Sequence, residues 1–443
     1  MLARLRMLWV SVRDSLWFLP ATFTLASALL AVGLIRLELR QWSAVQAAGE
    51  WLWSGGAEGT RGVLSAIASS LITVTGVVFS VTIVALQLAS SQFTPRLLRN
   101  FTADRSNQAV LAVLIGTFTY ALLVLRAVRS ETQDGEEFVP RIAAMGALIL
   151  VLVSIACLIY FLDHAARSIQ LAVILDRVTR QTRENVERML PDRDDANREP
   201  QRGDWSPPPG NPVVIPATES GYLQVVDEEA LARLCGSCGL WMRMEPRIGE
   251  FVLRGRSLVS VWPPTARDDE IDTQVRRAFV LGHEPTPDQD LSFGIVEISD
   301  IAVKALSPSV NDPTTALRCI DRLGDILLEI GQRVEAPPPG PVDGPRRFLA
   351  RPLDYERLVG MAFDQIRHYG ADNAIIGRKL VDLLVQLVDL LPPQRRPPIE
   401  AQLDAAITDT RRAVTSPIEL TGFERMLVRK GLSGGSADAG STG

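Results

Sequence analysis

The stretch GVLSAIASSLITVTGVVFSVTIVALQL, residues 62–88, decides what kind of protein this is. It contains no Asp, Glu, Lys or Arg, and a bilayer core of about 30 Å needs roughly 20 apolar residues in a helix. Projected at about 100° per residue, Ser65, Ser69, Thr73, Gly76, Ser80, Gln87 and Ser91 fall on one stripe about 80° wide. The other side carries Val74, Val77, Val78, Val81, Ala85 and Leu88, while Ser70, Thr75 and Thr82 lie off the stripe. Two readings stay open. Small hydroxylated faces let membrane helices approach closely and bond across the seam. Alternatively, copies of this helix gathered around an axis line a watery path.

Working outward, residues 16–35, 109–128 and 142–162 form three more apolar runs of spanning length. The first follows RLRMLWVSVR, as a signal peptide would, but it exceeds the usual apolar core of about 7–15 residues and is expected to be retained. No charged residue lies mid-helix in any run, which argues against a proton relay or a voltage sensor. Arg4, Arg6 and Arg13 precede the first span, Arg96, Arg99 and Arg105 fill the second-to-third loop, and Arg167, Arg177, Arg180 and Arg183 follow the fourth. The opposite loops hold Arg36, Arg40, Arg61, Arg129 and Arg141. The bias is moderate and places both termini in the cytoplasm. Within SSQFTPRLLRNFTADRSNQ, residues 90–108, Phe93, Leu97, Leu98 and Phe101 share a face, the pattern of an interfacial helix. Arg96, Arg99 and Arg105 there serve either as topology anchors or as anion collectors at a pore mouth.

Composition agrees. Hydrophobic residues make up 47% of the 443, charged residues 22%, and the net charge is −5. The mean hydropathy of +0.13 is high for a wholly soluble chain, and the excess sits in the first 165 residues. An acidic balance points away from nucleic acid. Cys157, Cys235, Cys238 and Cys319 include one C-x-x-C, but no second pair or nearby His completes a metal site. These thiols read as structural.

After the spans, the sequence predicts a juxtamembrane helix and Pro-rich linker over 166–216, then a β-rich unit over 217–265. GYLQVV and LWMRMEP read as strands on either side of a short helix opening at Asp227. RIGEFVLRGRSLVSVWP, residues 247–263, places glycines where a tight turn joins two strands. That run resembles the half-barrel of biotinyl and lipoyl carrier domains. Carriers need a lysine in the facing hairpin, and the lysines here are Lys304, Lys379 and Lys430, so a swinging arm is excluded. Helical periodicity dominates 266–430, with expected helices over 268–281, 291–306, 313–330, 354–368, 371–391 and 398–414. In the third, Leu317, Ile320, Leu323, Leu327 and Ile330 form the expected buried stripe. Residues 431–443 read as a disordered tail. The fold class is therefore an α-helical membrane domain, residues 1–165, followed by a cytoplasmic α+β domain with a small barrel-sandwich-like half-barrel.

Before the 313–330 helix, Ser307, Ser309, Asn311, Asp312, Thr314 and Thr315 crowd polar groups at a helix start. They read as capping and turn residues, with anion binding as the alternative. Nothing resembles a P-loop, a zinc-protease helix or a nucleophile elbow, so no enzyme, metal or cofactor is expected.

Two stretches, VVFSVTIVALQLASSQFTPRLLRNFTADRSNQ (77–108) and SDIAVKALSPSVNDPTTALRCIDRL (299–323), resemble a family of predicted bacterial membrane proteins, domain-of-unknown-function family 2254. The resemblance implies four N-terminal spans, a cytoplasmic tail and a bacterial inner-membrane location. It carries no activity with it. The sequence-level reading is a homo-oligomeric channel or pore-type transport protein with a regulatory domain; the alternative is a membrane-anchored scaffold or sensor.

Overall fold

The computed structural model describes residues 17–40, 55–92, 105–130, 137–168, 170–190, 205, 207–263, 268–333 and 347–432. The chain divides into two compact units, with the boundary after Ile174.

The first unit contains helices α1 (Phe18–Arg40), α2 (Ala57–Gln92), α3 (Arg105–Ala127) and α4 (Arg141–Ser168). Each is long and apolar enough to cross a membrane. Helix α3 packs against the other three. In its apolar window 56% of residues are buried, against 17–22% in its neighbours, so it forms the centre of the unit. Close approach is made by small residues. A Cβ on Gly116 would stand 2.7 Å from Ser27 Oγ, and one on Gly146 would stand 2.6 Å from Tyr120 Oη. Tyr120 is fully buried and donates to Ala143 O at 2.9 Å. Ser154 Oγ donates to Thr117 Oγ1 at 3.0 Å, so the buried hydroxyls of α3 and α4 satisfy each other.

The helices outrun the apolar windows. α2 starts at Ala57 because the Glu137 carboxylate accepts the Ala57 N–H at 2.7 Å, and Thr60 Oγ1 donates to Gly56 O at 3.0 Å. α1 runs on to Arg40, which brings Glu38 to the start of α4. Ser90 and Gln92 end α2 and Arg105 opens α3, so the interfacial helix expected over 90–108 loses both ends to spans. Its middle, with Arg96 and Arg99, lies outside the described residues.

The second unit opens within α5 (Leu171–Met189), an amphipathic helix whose Leu175, Val178, Thr182 and Val186 are buried. From Leu175 onward this helix, which falls where the sequence predicts a juxtamembrane helix, is part of the second compact unit. The Pro-rich segment also contributes a strand, β1 (Val213–Pro216). Trp205, within it, packs edge-on against Trp241 and Trp262, with ring centroids at 6.3 and 5.5 Å.

The strands are β1, β2 (Gly221–Val226), β3 (Trp241–Met244), β4 (Phe251–Val252), β5 (Ser257–Trp262), β6 (Phe279–Gly282) and β7 (Phe348–Leu349). They form a four-stranded sheet ordered β1-β5-β3-β7 and a three-stranded sheet ordered β4-β2-β6. Among the described residues only β3 and β7 pair in parallel. The glycine-marked turn therefore does not close a hairpin, because β4 pairs with β2 while β5 pairs with β1 and β3. Gly255, at φ +87°, carries the chain from one sheet to the other, and its N–H donates to Ala217 O at 2.9 Å. The two sheets share a core of Ile215, Leu223, Leu231, Leu240, Met242, Val259, Val275 and Phe348 with α6 (Glu228–Cys238) and α7 (Asp269–Ala278).

The helix expected over 268–281 ends at Ala278 and continues as β6, where pairing with β2 overrides the helical periodicity. Then follow α8 (Leu291–Ala305), α9 (Pro313–Gln332), α10 (Tyr355–Tyr369), α11 (Ala374–Leu390), α12 (Arg396–Ala413) and α13 (Pro417–Arg429). The buried face of α9 is Thr315, Ala316, Cys319, Ile320, Leu323, Ile326, Leu327 and Ile330, with Leu317 at its margin. Residues 433–443, the expected disordered tail, lie outside the described residues.

Candidate functional site

On α2 the packed face and the polar stripe are opposed. Leu64, Ile67, Ala68, Leu71, Val78 and Ala85 are buried against the other helices. Ser65, Ser69, Thr73, Gly76, Ser80 and Gln87 are all exposed, centred about 180° from the buried set at 100° per residue. A Cβ on Gly76 would meet nothing within 4 Å. The stripe is therefore no packing seam inside one chain. Ser69 Oγ donates to Ser65 O at 2.9 Å and Thr73 Oγ1 to Ser69 O at 2.9 Å, so two of its hydroxyls are satisfied by their own helix. An amide such as that of Gln87 costs far more in hydrocarbon unless a partner or water reaches it. Ser91 lies on α2 at the end of this stripe.

At the end of the bundle where α2 and α4 begin, two carboxylates close two helix starts. Glu137 takes the first N–H of α2, and Glu38, only 1% exposed, accepts the Ala143 N–H at 2.8 Å. Arg61 ties the same end together, donating to Val128 O and Ser130 Oγ at 2.9 Å each. Sequence reasoning passed over Glu38. Its place in LELR, beyond the apolar run, reads as a flank, and only the return of α4 shows that it is enclosed. Of the three arginines proposed for a pore mouth, Arg105 is the first residue of α3, and Arg96 and Arg99 lie outside the described residues.

The polar loop before α9 is a capping structure. Asp312 accepts the Thr315 N–H at 3.1 Å and the Thr315 hydroxyl at 2.6 Å. That hydroxyl and amide hold its carboxyl below the usual carboxylate value. Asn311 is the left-handed residue of the turn, at φ 48°, and Pro313 takes the first helical position. Ser307 Oγ donates to Lys304 O at 2.7 Å and lies 3.2 Å from Ser309 Oγ, while Thr314 is exposed. Asp312 is thus the cap of α9 and Asn311 the left-handed residue of the turn before it.

A second cap stands out by burial. Asp290, 8% exposed, opens α8 by accepting Ser292 N at 2.9 Å and Ser292 Oγ at 2.6 Å. Burial pushes its carboxyl up, against those bonds and the Arg357 charge. Burial likewise pushes the thiols of Cys235 and Cys319 up to about 12, whereas Cys238 is exposed. Among the described residues no cluster of His, Cys, Asp or Glu has the grouping a metal needs.

Four apolar helices with an outward polar stripe, joined to a mixed α/β unit, define a polytopic membrane protein. The chain belongs to the predicted membrane protein family DUF2254, whose sequence profile matches residues 13–386. It is 34% identical over 364 residues to the uncharacterized protein Rv1290c of Mycobacterium tuberculosis, covering 80% of this chain and 68% of that one. The uncharacterized protein Mb1321c of Mycobacterium bovis matches to the same extent. No solved structure matches it.

Proposed function

We propose that the protein is a homo-oligomeric, pore-type transport protein of the bacterial inner membrane, with both termini in the cytoplasm and the C-terminal unit regulating it. The observation that supports this is the direction of the α2 stripe. Its polar side chains face away from their own bundle, and burying them requires neighbouring copies, water or both. No catalytic role, cofactor or nucleic-acid partner is proposed; the bilayer and further copies of the chain are the partners. The two sheets joined at Gly255 are read as a structural half-barrel without a carrier role.

One observation favours a second reading. Ser69 and Thr73 spend their hydroxyls on their own backbone, which suits a dry seam between copies and hence a membrane-anchored scaffold or sensor. Cysteine scanning separates the two. Ser69, Thr73, Ser80 and Gln87 are changed singly to Cys after Cys157 and Cys238 are replaced; the buried Cys235 and Cys319 can stay. In a pore, a membrane-impermeant thiol reagent labels this stripe and blocks solute flux from liposomes. An intact oligomer whose stripe is unlabelled and whose liposomes show no flux overturns the pore and leaves the scaffold.

A further inference from the structure

We infer that the turn after β4 is a docking point for an anionic lipid surface, with Phe251 and Leu253 entering the headgroup region and Arg254 and Arg256 pairing with lipid phosphates. The inference goes beyond the proposed function and presupposes neither a pore nor a scaffold.

It begins with strand alternation. Val252, 4% exposed, belongs to the core between the two sheets, so Phe251 and Leu253, one place to either side, share the opposite face. They are 49% and 58% exposed. On the neighbouring strand Tyr222 stands in register with Phe251, the two rings edge-on at 5.1 Å. Single exposed apolar side chains are ordinary on a protein surface. Here two of them adjoin two arginines.

Arg254 and Arg256 sit on either side of Gly255, and both are exposed. Among the described residues neither guanidinium has a carboxylate within ion-pair distance, whereas Arg183, Arg247, Arg276, Arg333 and Arg367 of the same unit each have one. Glu219, exposed on the adjoining loop, offsets one of the two charges. The turn is built in advance. Arg254 N–H donates to Ser220 Oγ at 2.8 Å, Gly255 N–H to Ala217 O at 2.9 Å and Arg256 N–H to Leu253 O at 3.0 Å, so docking orders little backbone. A Cβ on Gly255 would meet nothing within 4 Å, which leaves the crest between the arginines open to a headgroup.

Apolar side chains beside basic ones suit the boundary between acyl chains and anionic headgroups. An isologous contact between two copies would instead oppose the same arginines, which like charge disfavours. So small an attachment would hold no free protein on a membrane. This unit, however, follows four spans in the same chain, and a linked surface is present at an effective concentration on the order of millimolar. At that concentration a weak contact is populated.

The test uses full-length protein in nanodiscs of phosphatidylcholine, alone or mixed with phosphatidylglycerol. Cys157 and Cys238 are replaced, the buried Cys235 and Cys319 stay, and Thr218→Cys carries a bimane label. Thr218 is exposed on the loop that clasps the turn and is none of the four docking residues. Quenching by lipids with a nitroxide headgroup should be at least about fivefold stronger in the anionic discs. It should fall to the neutral level in Arg254→Gln with Arg256→Gln, and separately in Phe251→Ser with Leu253→Ser. All four sites are exposed, so melting temperatures should hold; should one double variant unfold, the other decides. Equal quenching in both kinds of disc, or quenching that survives substitution, overturns the inference. Protection from aqueous iodide without lipid quenching means that protein covers the turn, and overturns it too. Flux is not read here, so loss of the pore reading leaves this result intact.

Discussion

Gly249 holds φ at +82° with Asp290 Oδ2 pressed where a Cβ would sit, whereas Gly255, at φ +87°, faces open space. Both need a left-handed backbone, which costs a non-glycine residue about 1–2 kcal/mol. Only Gly249 adds an overlap with a buried carboxylate. Gly255→Ala should therefore lower stability by about 1–2 kcal/mol, and Gly249→Ala by clearly more, as read from thermal unfolding. Equal losses would mean that Asp290 yields freely.

The two capping aspartates differ in the sign of their pH dependence. The Asp312 carboxyl is lowered, so its stabilisation is complete above the ordinary value of 3.8 and is lost as pH falls through the depressed value. The Asp290 carboxyl is raised, so its contribution is present below the ordinary value of 3.8 and is lost as pH rises through the elevated one. Asn caps a helix about as well as Asp. At pH 7, Asp290→Asn should accordingly not lower the melting temperature, while Asp312→Asn should, with its deficit closing in acid. Asp312→Ala removes the cap altogether and should cost about 0.5–2 kcal/mol. The reverse ranking of the two Asn variants would refute the burial argument for Asp290.

At the scale of the element, α2 shows how little a helical wheel says about direction. The segregation of Ser65, Ser69, Thr73, Gly76, Ser80 and Gln87 is legible from spacing, but whether the stripe faces in or out depends on where α3 lies. Exposed on the outer face, Gln87 should be the costliest member to strand in lipid. Gln87→Leu should weaken the oligomer by about 0.6–2 kcal/mol if its amide bonds across a subunit seam, measured from dissociation in detergent. Val81→Leu on the same helix, about 120° from the centre of the stripe, serves as the control and should leave assembly unchanged. Unaltered assembly in Gln87→Leu would remove the amide from any seam. β6 carries the opposite lesson. The helical period read over 268–281 stops at Ala278, and strand pairing with β2 takes its last three residues into a sheet.

For the whole molecule, the four-helix unit and the C-terminal unit have separate cores, so unfolding is not expected to be a single two-state step. The arginine distribution predicts one sidedness for both termini. Reporter fusions after Arg13, Arg105 and Arg180 should all read cytoplasm, and a periplasmic signal after Arg180 would break the four-span topology.

The spans, the Asp312–Pro313 helix start and family membership follow from the sequence alone, because each rests on local composition or on spacing within one element. Hydrophobic length is a one-dimensional property, and so is a cap three residues ahead of the amide it accepts. Glu38 at the start of α4, Glu137 at the start of α2, the Gly249–Asp290 contact and the Gly294 seat for Thr182 join residues 41 to 112 positions apart. No period or motif encodes them. They exist only once packing has chosen which faces meet, and that choice also turned the polar stripe of α2 outward.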